Sequence, residues 1–541
     1  MKLVKRCLIF FAILLLLCQV PFSCAQRGRP EGGPKDTIPP TVISAKPANF
    51  STHFKSTLIR INFDEYIKLK DPDKQILISP PLKNKPIVRP MGQALKYIEI
   101  ELSDTLRDNT TYTINFGKSI EDNNEGNVLP FYKYVFSTGD YIDSLSLSGR
   151  VVDAYRRETE EGISVMLYSL DSVYSDSVIY KKPPQYIAYT QDSTNTFTIE
   201  YARPGRYKLV AIEDKNQDYL FNQKREKIGF LTDTITLPTD RSYRLNIFKE
   251  IANYRVRRPE QMSLQHFVFG YEGRPDSVQI ELISDVPEQY QATQYVQTDH
   301  DSISYWFKPA LTADSLKFLV KNRTEVDTFS IRYYPEMDQD SLQLEAQPSS
   351  SLSLVGNFKI SGNTPLIKID TTRIQLTDKD SLPVRYSVDY QSFGNRFVFD
   401  FDKNEKEVYH FQFLPGALQD FFGNVNDTLQ YALRTQAETD YADVELKLEH
   451  IDRYPVIVQL VNEKGDTKRE LIHQEGDGAT FNFQFVDPGK YYVRLIYDDN
   501  QNGVWDTGNY LKKEQPEEVK YMPELLDVRK NWEILQTFTL K

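Results

Sequence analysis

The sequence predicts an all-β chain of tandem antiparallel β-sandwiches, and three observations carry that expectation. Apolar and polar residues alternate with period two in segment after segment from residue 41 onwards, and two stretches of the chain recur internally. The 541 residues also include 34 Tyr and 31 Phe against 24 Gly. Alternation gives a strand one apolar face, and aromatic side chains suit the pleated, half-buried surface of a sheet. Long helical periodicity is nearly absent, with a single short helix expected over 523–530. At roughly 100–200 residues per domain the length asks for about three to five domains.

Composition narrows the function classes. The three cysteines, Cys7, Cys18 and Cys24, all fall in the first 24 positions, which excludes a disulfide framework, a cysteine-ligated zinc site or a cysteine nucleophile in the body of the chain. A formal net charge of −11 argues against nucleic acid or an anionic membrane surface as the main partner, because phosphate binding needs clustered positive charge.

Lys2, Lys5 and Arg6 precede a ten-residue apolar run over 8–17, too short to span a bilayer and the right size for the core of a secretory signal. Val20-Pro21-Phe22-Ser23-Cys24 follows, and this run resembles the lipobox of bacterial lipoproteins, with Pro21 and Phe22 where a tighter motif has Leu and a small residue. The resemblance implies that residues 1–23 are removed and that Cys24 is acylated; the alternative is ordinary cleavage near Ala25 with Cys24 discarded. Loss of 1–23 takes away three positive charges and no acids, moving the net charge from −11 to −14. Residues 24–40 then form a Gly- and Pro-rich leash. Ala25 is not the aspartate that retains lipoproteins in the inner membrane, so the outer membrane is the expected location. No acidic run marks the chain for surface export, which leaves the leaflet open.

Behind the leash the expected order is a sandwich over 41–140, a second over 141–250, a third over 251–340, a fourth over 341–437 and a fifth over 438–541. Residues 197–222 (FTIEYARPGRYKLVAIEDKNQDYLFN) align without gaps on 481–506 (FNFQFVDPGKYYVRLIYDDNQNGVWD), with eight identities in 26 positions. Pro204-Gly205 and Pro488-Gly489 are expected to form tight turns with a left-handed glycine, and Tyr207 and Tyr491 to bury their rings while bonding backbone. These runs resemble the carboxypeptidase-regulatory, transthyretin-like β-sandwich. A fainter repeat links 109–138 to 407–435, each with a Tyr-bearing strand, an Asp-Gly-Asn type loop and a closing strand. The first copy, from IPPTVISAKPANF to VFSTGD, resembles the bacterial Ig-like domain that also occurs in surface-layer proteins. Together with Cys24 and GGPKDTIPP, the order is similar to Ig-like-domain lipoproteins of the Bacteroidota, a resemblance that implies architecture and location and brings no enzymatic activity.

The sharpest constellation for chemistry is Asp498-Asp499-Asn500-Gln501-Asn502-Gly503-Val504-Trp505-Asp506. Side-chain oxygens of Asp498, Asn500 and Asn502, the Val504 carbonyl and the Asp506 carboxylate reproduce the early positions of a calcium loop, with Gly503 at its sharp turn. Asn509 stands where the bidentate Glu would close such a loop, and an Asx-rich turn without an ion is the alternative. The repeat keeps oxygens at Asp214, Asn216 and Asp218 but has Tyr219 in place of the glycine, a weaker Ca2+ candidate. Gly117-Lys118-Ser119 lacks the first glycine and the helix of a phosphate loop. The six histidines are scattered singly, there is no GxSxG elbow, and the adjacent acids Asp64 and Glu65 point to opposite faces of an extended chain.

The sequence therefore reads as a non-enzymatic, lipid-anchored scaffold at the outer membrane with an envelope protein as partner and no nucleic acid. The alternative is a glycan-binding or glycan-processing protein, for which Tyr305-Trp306-Phe307 offers an aromatic face, although a sandwich core is the commoner use of such residues. A transmembrane β-barrel also fits alternation but conflicts with the repeats and the charged strand faces.

Overall fold

A computed structural model describes residues 35–540 except 172–173, 192–193, 276, 298–300 and 324. The fold class is as alternation predicts. Among the described residues the helical elements are one turn at Pro72–Gln75 and three 3-10 turns, at Asp176–Tyr180, Thr371–Arg373 and Glu438–Asp440. The helix expected over 523–530 is not one of them. Leu526–Val528 is a strand on the edge of Gly489–Tyr497, with Leu526 and Val528 buried and Asp527 exposed between them. Three residues of period two, packed on a waiting sheet, outweigh a local helical preference.

The chain divides into two compact units, one ending at Ile142 and the other starting at Asp143. The first is a single sandwich. Val42–Lys46, Leu58–Leu69, Leu95–Glu101 and Ile87–Arg89 form one sheet in that order, and Leu77–Ser79, Thr111–Asn115 and Lys133–Ser137 form the other. Ile59, Ile61, Phe63, Ile98, Ile100, Tyr112, Ile114 and Phe116, the apolar halves of the alternating runs, meet in its core. The loop after Ile120–Asp122 is organised by the buried Asp122 carboxylate, which accepts the amides of Asn124, Glu125, Gly126 and Asn127. Burial pulls the Asp122 pKa up, and those four amides outweigh it and hold it below the usual aspartate range.

The second unit holds four cores. In its sandwich over 342–434 the strands recur in the connection pattern of the first unit. Leu344–Gln347, Phe358–Gly362, Arg396–Asp400 and Ser387–Gln391 form one sheet, faced by Ile374–Thr377, Val408–Phe413 and Leu429–Arg434. Buried Asp420 takes the place of Asp122, accepting the amides of Phe422 and Asn424 and the Thr364 hydroxyl. The faint sequence repeat is thus a topological one.

The stronger repeat is equally plain. Tyr186–Tyr189, Ser164–Ser169, Gly205–Ile212 and Ile228–Phe230 make one sheet of the sandwich over 145–247, and Thr196–Ala202, Leu145–Asp153 and Ser242–Ile247 the other. The sandwich over 442–539 repeats this with Thr467–His473, Val456–Val461, Gly489–Tyr497 and Val519–Tyr521 against Thr480–Val486, Ala442–Glu449 and Glu533–Thr539. In both, the last strand lies parallel to the first, whereas the other pairings are antiparallel. Tyr207 donates its hydroxyl to Arg203 O at 3.0 Å and Tyr491 to Asp487 O at 2.8 Å, with both rings in their cores. The glycines beside them differ from expectation. Gly205 and Gly489 are not in the left-handed region; it is Tyr201 (φ 57°) and Phe485 (φ 53°), at the irregular ends of the preceding strands, that adopt positive φ. A Cβ on either glycine would lie 3.4 Å from the ring of the tyrosine two residues on, an ordinary contact, so neither the backbone angle nor the space demands glycine there.

The remaining sandwich pairs Arg255–Val256, His266–Glu272, Ser302–Lys308 and Gln291–Val296 against Gln279–Leu282, Ser315–Asn322 and Glu325–Arg332. Tyr305 and Phe307 point into its core, and Trp306, 1% exposed, is covered by His266, stacked at 3.7 Å, and by Phe422 of the next sandwich at 5.9 Å. The aromatic face suggested for glycans is therefore buried.

Burial lowers the His266 pKa from 6.5 to about 4, and Asp340, 3.8 Å away and partly exposed, does not offset it. A depressed histidine pKa means that the unfolded chain takes the proton first. Its contribution is complete above pH 6.5 and is lost as the pH falls towards 4, a change of the order of 3 kcal/mol. Urea unfolding followed by tryptophan fluorescence should show the transition moving to lower urea across this range, and His266→Phe should remove that part of the pH slope.

Candidate functional site

Residues 498–517 leave the end of Gly489–Tyr497 as an excursion before the chain rejoins the sheet at Val519–Tyr521. Its first half is the loop singled out in the sequence. Asp498, 2% exposed, accepts Asn502 N on Oδ1 at 3.0 Å and Gly503 N on Oδ2 at 2.8 Å, and Gly503 takes the left-handed conformation at φ 77°. Asn500 and Asn502 each direct Nδ2 to Asp506 Oδ2 at 2.5 Å, so the side chains at 500, 502 and 506 meet at one point. Burial raises the Asp506 pKa, but Asn500, Arg274 and Asn502 together outweigh it and keep the carboxyl below its ordinary value. Val504 carries an exposed side chain and donates its amide to Asn502 Oδ1.

Asn509, at the position expected for the closing glutamate, is used otherwise: its backbone pairs with Glu514 and its Oδ1 accepts Lys512 N. A residue that the sequence did not single out takes its place beside the loop. Glu517, 9% exposed, accepts Asp506 N on Oε2 at 2.9 Å, while its Oε1 is buried without a hydrogen-bond partner. Burial pushes its pKa up, and the Asp498 and Asp506 charges add to the rise against the pull of the Asp506 and Asn500 amides.

The loop at Asp214 has the same frame. Asp214 accepts Asp218 N and Tyr219 N, as Asp498 accepts Asn502 N and Gly503 N, and Tyr219 adopts φ 60° in place of the glycine. Asp218 accepts Leu220 N, and Asn216 is exposed. Glu226, fully buried, stands where Glu517 stands in the other copy, accepting Asn222 N on Oε2 at 2.8 Å. Here the second oxygen is satisfied, by Lys215 N at 3.2 Å. The gapless sequence alignment stops at Asn222 and Asp506, and the return to the glutamate is longer in the second copy, so neither glutamate lines up by counting. An acid shortly after each loop was the signal available. Among the described residues, no three His, Cys, Asp or Glu side chains form a metal-type cluster.

The second half of the excursion joins the two copies. Tyr510 N donates to the buried Glu250 carboxylate at 2.5 Å, and Glu250 also accepts Gln223 Nε2 at 2.8 Å. Thr507 Oγ1 donates to Lys249 O at 2.7 Å and Gln515 Nε2 to Phe230 O at 3.0 Å. The Tyr510 ring meets Phe230 edge-on at 5.1 Å. Gly508 passes so near that a Cβ would lie 2.5 Å from Glu514 O and 2.7 Å from the Phe248 ring. Trp505 lies against Tyr155 at 4.5 Å, and the buried Arg494 guanidinium covers the same ring at 4.1 Å. Arg274 of the intervening sandwich bonds Asp506 at 2.6 Å, tying a third sandwich to the loop.

A cleft of about 290 Å³ lies beside this joint, lined by Arg157, Glu158, Glu160, Lys464, Tyr492 and Tyr521 among others. Arg157 covers the Tyr492 ring at 4.2 Å. Burial raises the Glu160 pKa but Lys227, 2.5 Å away, outweighs it, so this carboxylate stays ionised and is unsuited to donate a proton as a general acid. His410 sits on the strand Val408–Phe413 with its side chain exposed, and Asp64 accepts the Thr41 amide and hydroxyl apart from Glu65. Cys24 lies outside the described residues.

Glu250→Ala leaves the Tyr510 amide and Gln223 without an acceptor and should cost about 1–3 kcal/mol. Gly508→Ala forces the joint apart and should cost a similar amount. Denaturant unfolding of the full chain measures both, and limited proteolysis should cut variants within 507–515 faster than the parent.

Residues 36–138 match the bacterial Ig-like domain family. No curated protein matches the chain. Among solved structures, the S-layer protein rSbsC is 11% identical with a TM-score of 0.17, over 91% of this chain and 67% of that one. The N-terminal eight Ig domains of the Down Syndrome Cell Adhesion Molecule are 11% identical with a TM-score of 0.16, over 85% and 68%. The Bacillus anthracis TIE protein is 11% identical with a TM-score of 0.13, over 95% and 76%. Scores this low establish no common arrangement of domains. The N-terminal sandwich carries the bacterial Ig-like domain match, and among the described residues the regular structure is almost wholly β.

Proposed function

We propose that this chain is a non-enzymatic scaffold of the bacterial cell envelope, held at the outer membrane by acyl chains on Cys24 and binding an envelope protein through its strand edges and loops. The observation that carries this reading is the way the sandwiches of the second unit are joined. Hydrogen bonds and ring contacts link the copy over 145–247 to the copy over 442–539, and Lys308 bonds Phe421 O across another junction. Such joints hold binding surfaces at fixed spacing, which is what a scaffold requires. The shared strand order, the tyrosine corners and the parallel closing strand support kinship of both copies with the transthyretin-like, carboxypeptidase-regulatory sandwich. The Ig-like first sandwich behind a Cys24 leash supports a lipoprotein of the Bacteroidota type. The glycan reading has less behind it, since Tyr305, Trp306 and Phe307 are buried and Glu160 is held ionised.

Cys24→Ala should move the protein from the membrane to the soluble fraction and abolish labelling by a clickable fatty acid; retention without label would overturn the anchor. Affinity purification from detergent-solubilised envelope should return a defined envelope protein in stoichiometric yield, and a chain that purifies alone counts against the scaffold role.

A further inference from the structure

The excursion at 498–517 contains a buried carboxylate of which only one oxygen is satisfied. Glu517 Oε1 is buried and unpartnered, beside a loop that already supplies Asp498 and Asp506. Burying an acid near two others is unfavourable unless something positive, or a proton, is shared among them. The homologous loop is the internal comparison. There Lys215 N satisfies the corresponding oxygen of Glu226 and a tyrosine replaces the glycine, so the same backbone frame closes on itself. In the second copy the frame is left open at one oxygen.

We propose that the second loop binds Ca2+, with Glu517 as the closing ligand that the linear motif lacks. Asp498, Asn500, Asn502, the Val504 main chain, Asp506 and Glu517 supply the oxygens, the number and hardness that calcium takes. Asn500 and Asn502 converge on Asp506 Oδ2, and their Oδ1 atoms, which accept Asn502 N and Val504 N, each keep a lone pair for an ion. Asp498 accepts the two loop amides that hold the turn, leaving the loop rigid before the ion arrives. The ion lies next to the joint: Asp506 is held by Arg274, and Trp505 packs on Tyr155. Occupancy therefore strengthens the docking of one copy on the other. This inference stands apart from the scaffold reading, because it concerns an ion site whatever the partner.

The test uses the full chain stripped with chelator. Tb3+ should bind and emit on tryptophan excitation through Trp505, Ca2+ should displace it, and millimolar Ca2+ should raise the melting temperature. Glu517→Gln should weaken Ca2+ binding by about 10-fold or more while the apo protein melts no lower than the parent, because a neutral amide relieves the buried charge. Glu226→Gln should leave binding unchanged. Should Glu517→Gln not fold by circular dichroism, Asn502→Ala, an exposed position, should weaken binding instead. Absence of sensitised emission and of any calcium-dependent shift overturns the proposal, leaving Glu517 a buried acid that serves no ion. Equal binding by the parent and by Glu517→Gln or Asn502→Ala overturns it as well, placing the ion elsewhere.

Discussion

The second unit is organised around one buried carboxylate. Glu250, at the end of one sandwich, receives the Tyr510 amide from another more than 250 residues later in the chain. Burial raises its pKa, so the group is held at a desolvation cost that the Tyr510 and Gln223 donors offset only in part. Such a bond has little tolerance for displacement. With it in place, Gly508 can pass under Phe248, Tyr510 can cover Phe230, and the first half of the excursion is delivered to Tyr155 and Arg274. The cleft beside Tyr492 exists because these two surfaces meet here.

The two copies do not meet through equivalent surfaces. One contributes the excursion; the other receives it on the strand Ile228–Phe230 and the segment through Glu250. Sequence divergence between the loops follows that division. The receiving copy has a short return to Glu226, and the inserting copy has a longer return and a loop whose Asp506 reaches Arg274 of the intervening sandwich. A duplicated sandwich has thus acquired complementary halves, a head-to-tail contact that joins unlike patches of like domains.

Much of this was legible in the alternation. Ile59, Ile61 and Phe63, or Tyr491, Val493 and Leu495, fall in cores because period two has one outcome once a second sheet covers that face. The tyrosine corners were legible because ring and hydroxyl have separate needs that one geometry meets. Two readings failed. Residues 526–528 became a strand because an edge of Gly489–Tyr497 was open to them. Gly205 and Gly489 do not take the left-handed conformation, because the positive φ falls at Tyr201 and Phe485 on the irregular ends of the preceding strands. Trp306 is buried, the commoner use of such a residue, and part of its cover, Phe422, lies more than a hundred positions away. The Asp498 loop was readable residue by residue, whereas Glu517 was not, because the distance along the chain from loop to closing acid is set by how far the excursion must reach to dock.

That docking also decides how the molecule bears load. The chain enters the receiving copy near Asp143 and ends on Glu533–Thr539 of the inserting copy, with two further sandwiches strung between them in sequence. Because the end sandwiches hold each other directly, tension applied across 143–540 runs through the joint at Glu250 and Tyr510 and bypasses the covalent path through the intermediate pair. Those two sandwiches close a loop of chain behind the joint, and the length they contain is released only when the joint opens. The arrangement is that of a shackle with a reserve of length behind its pin.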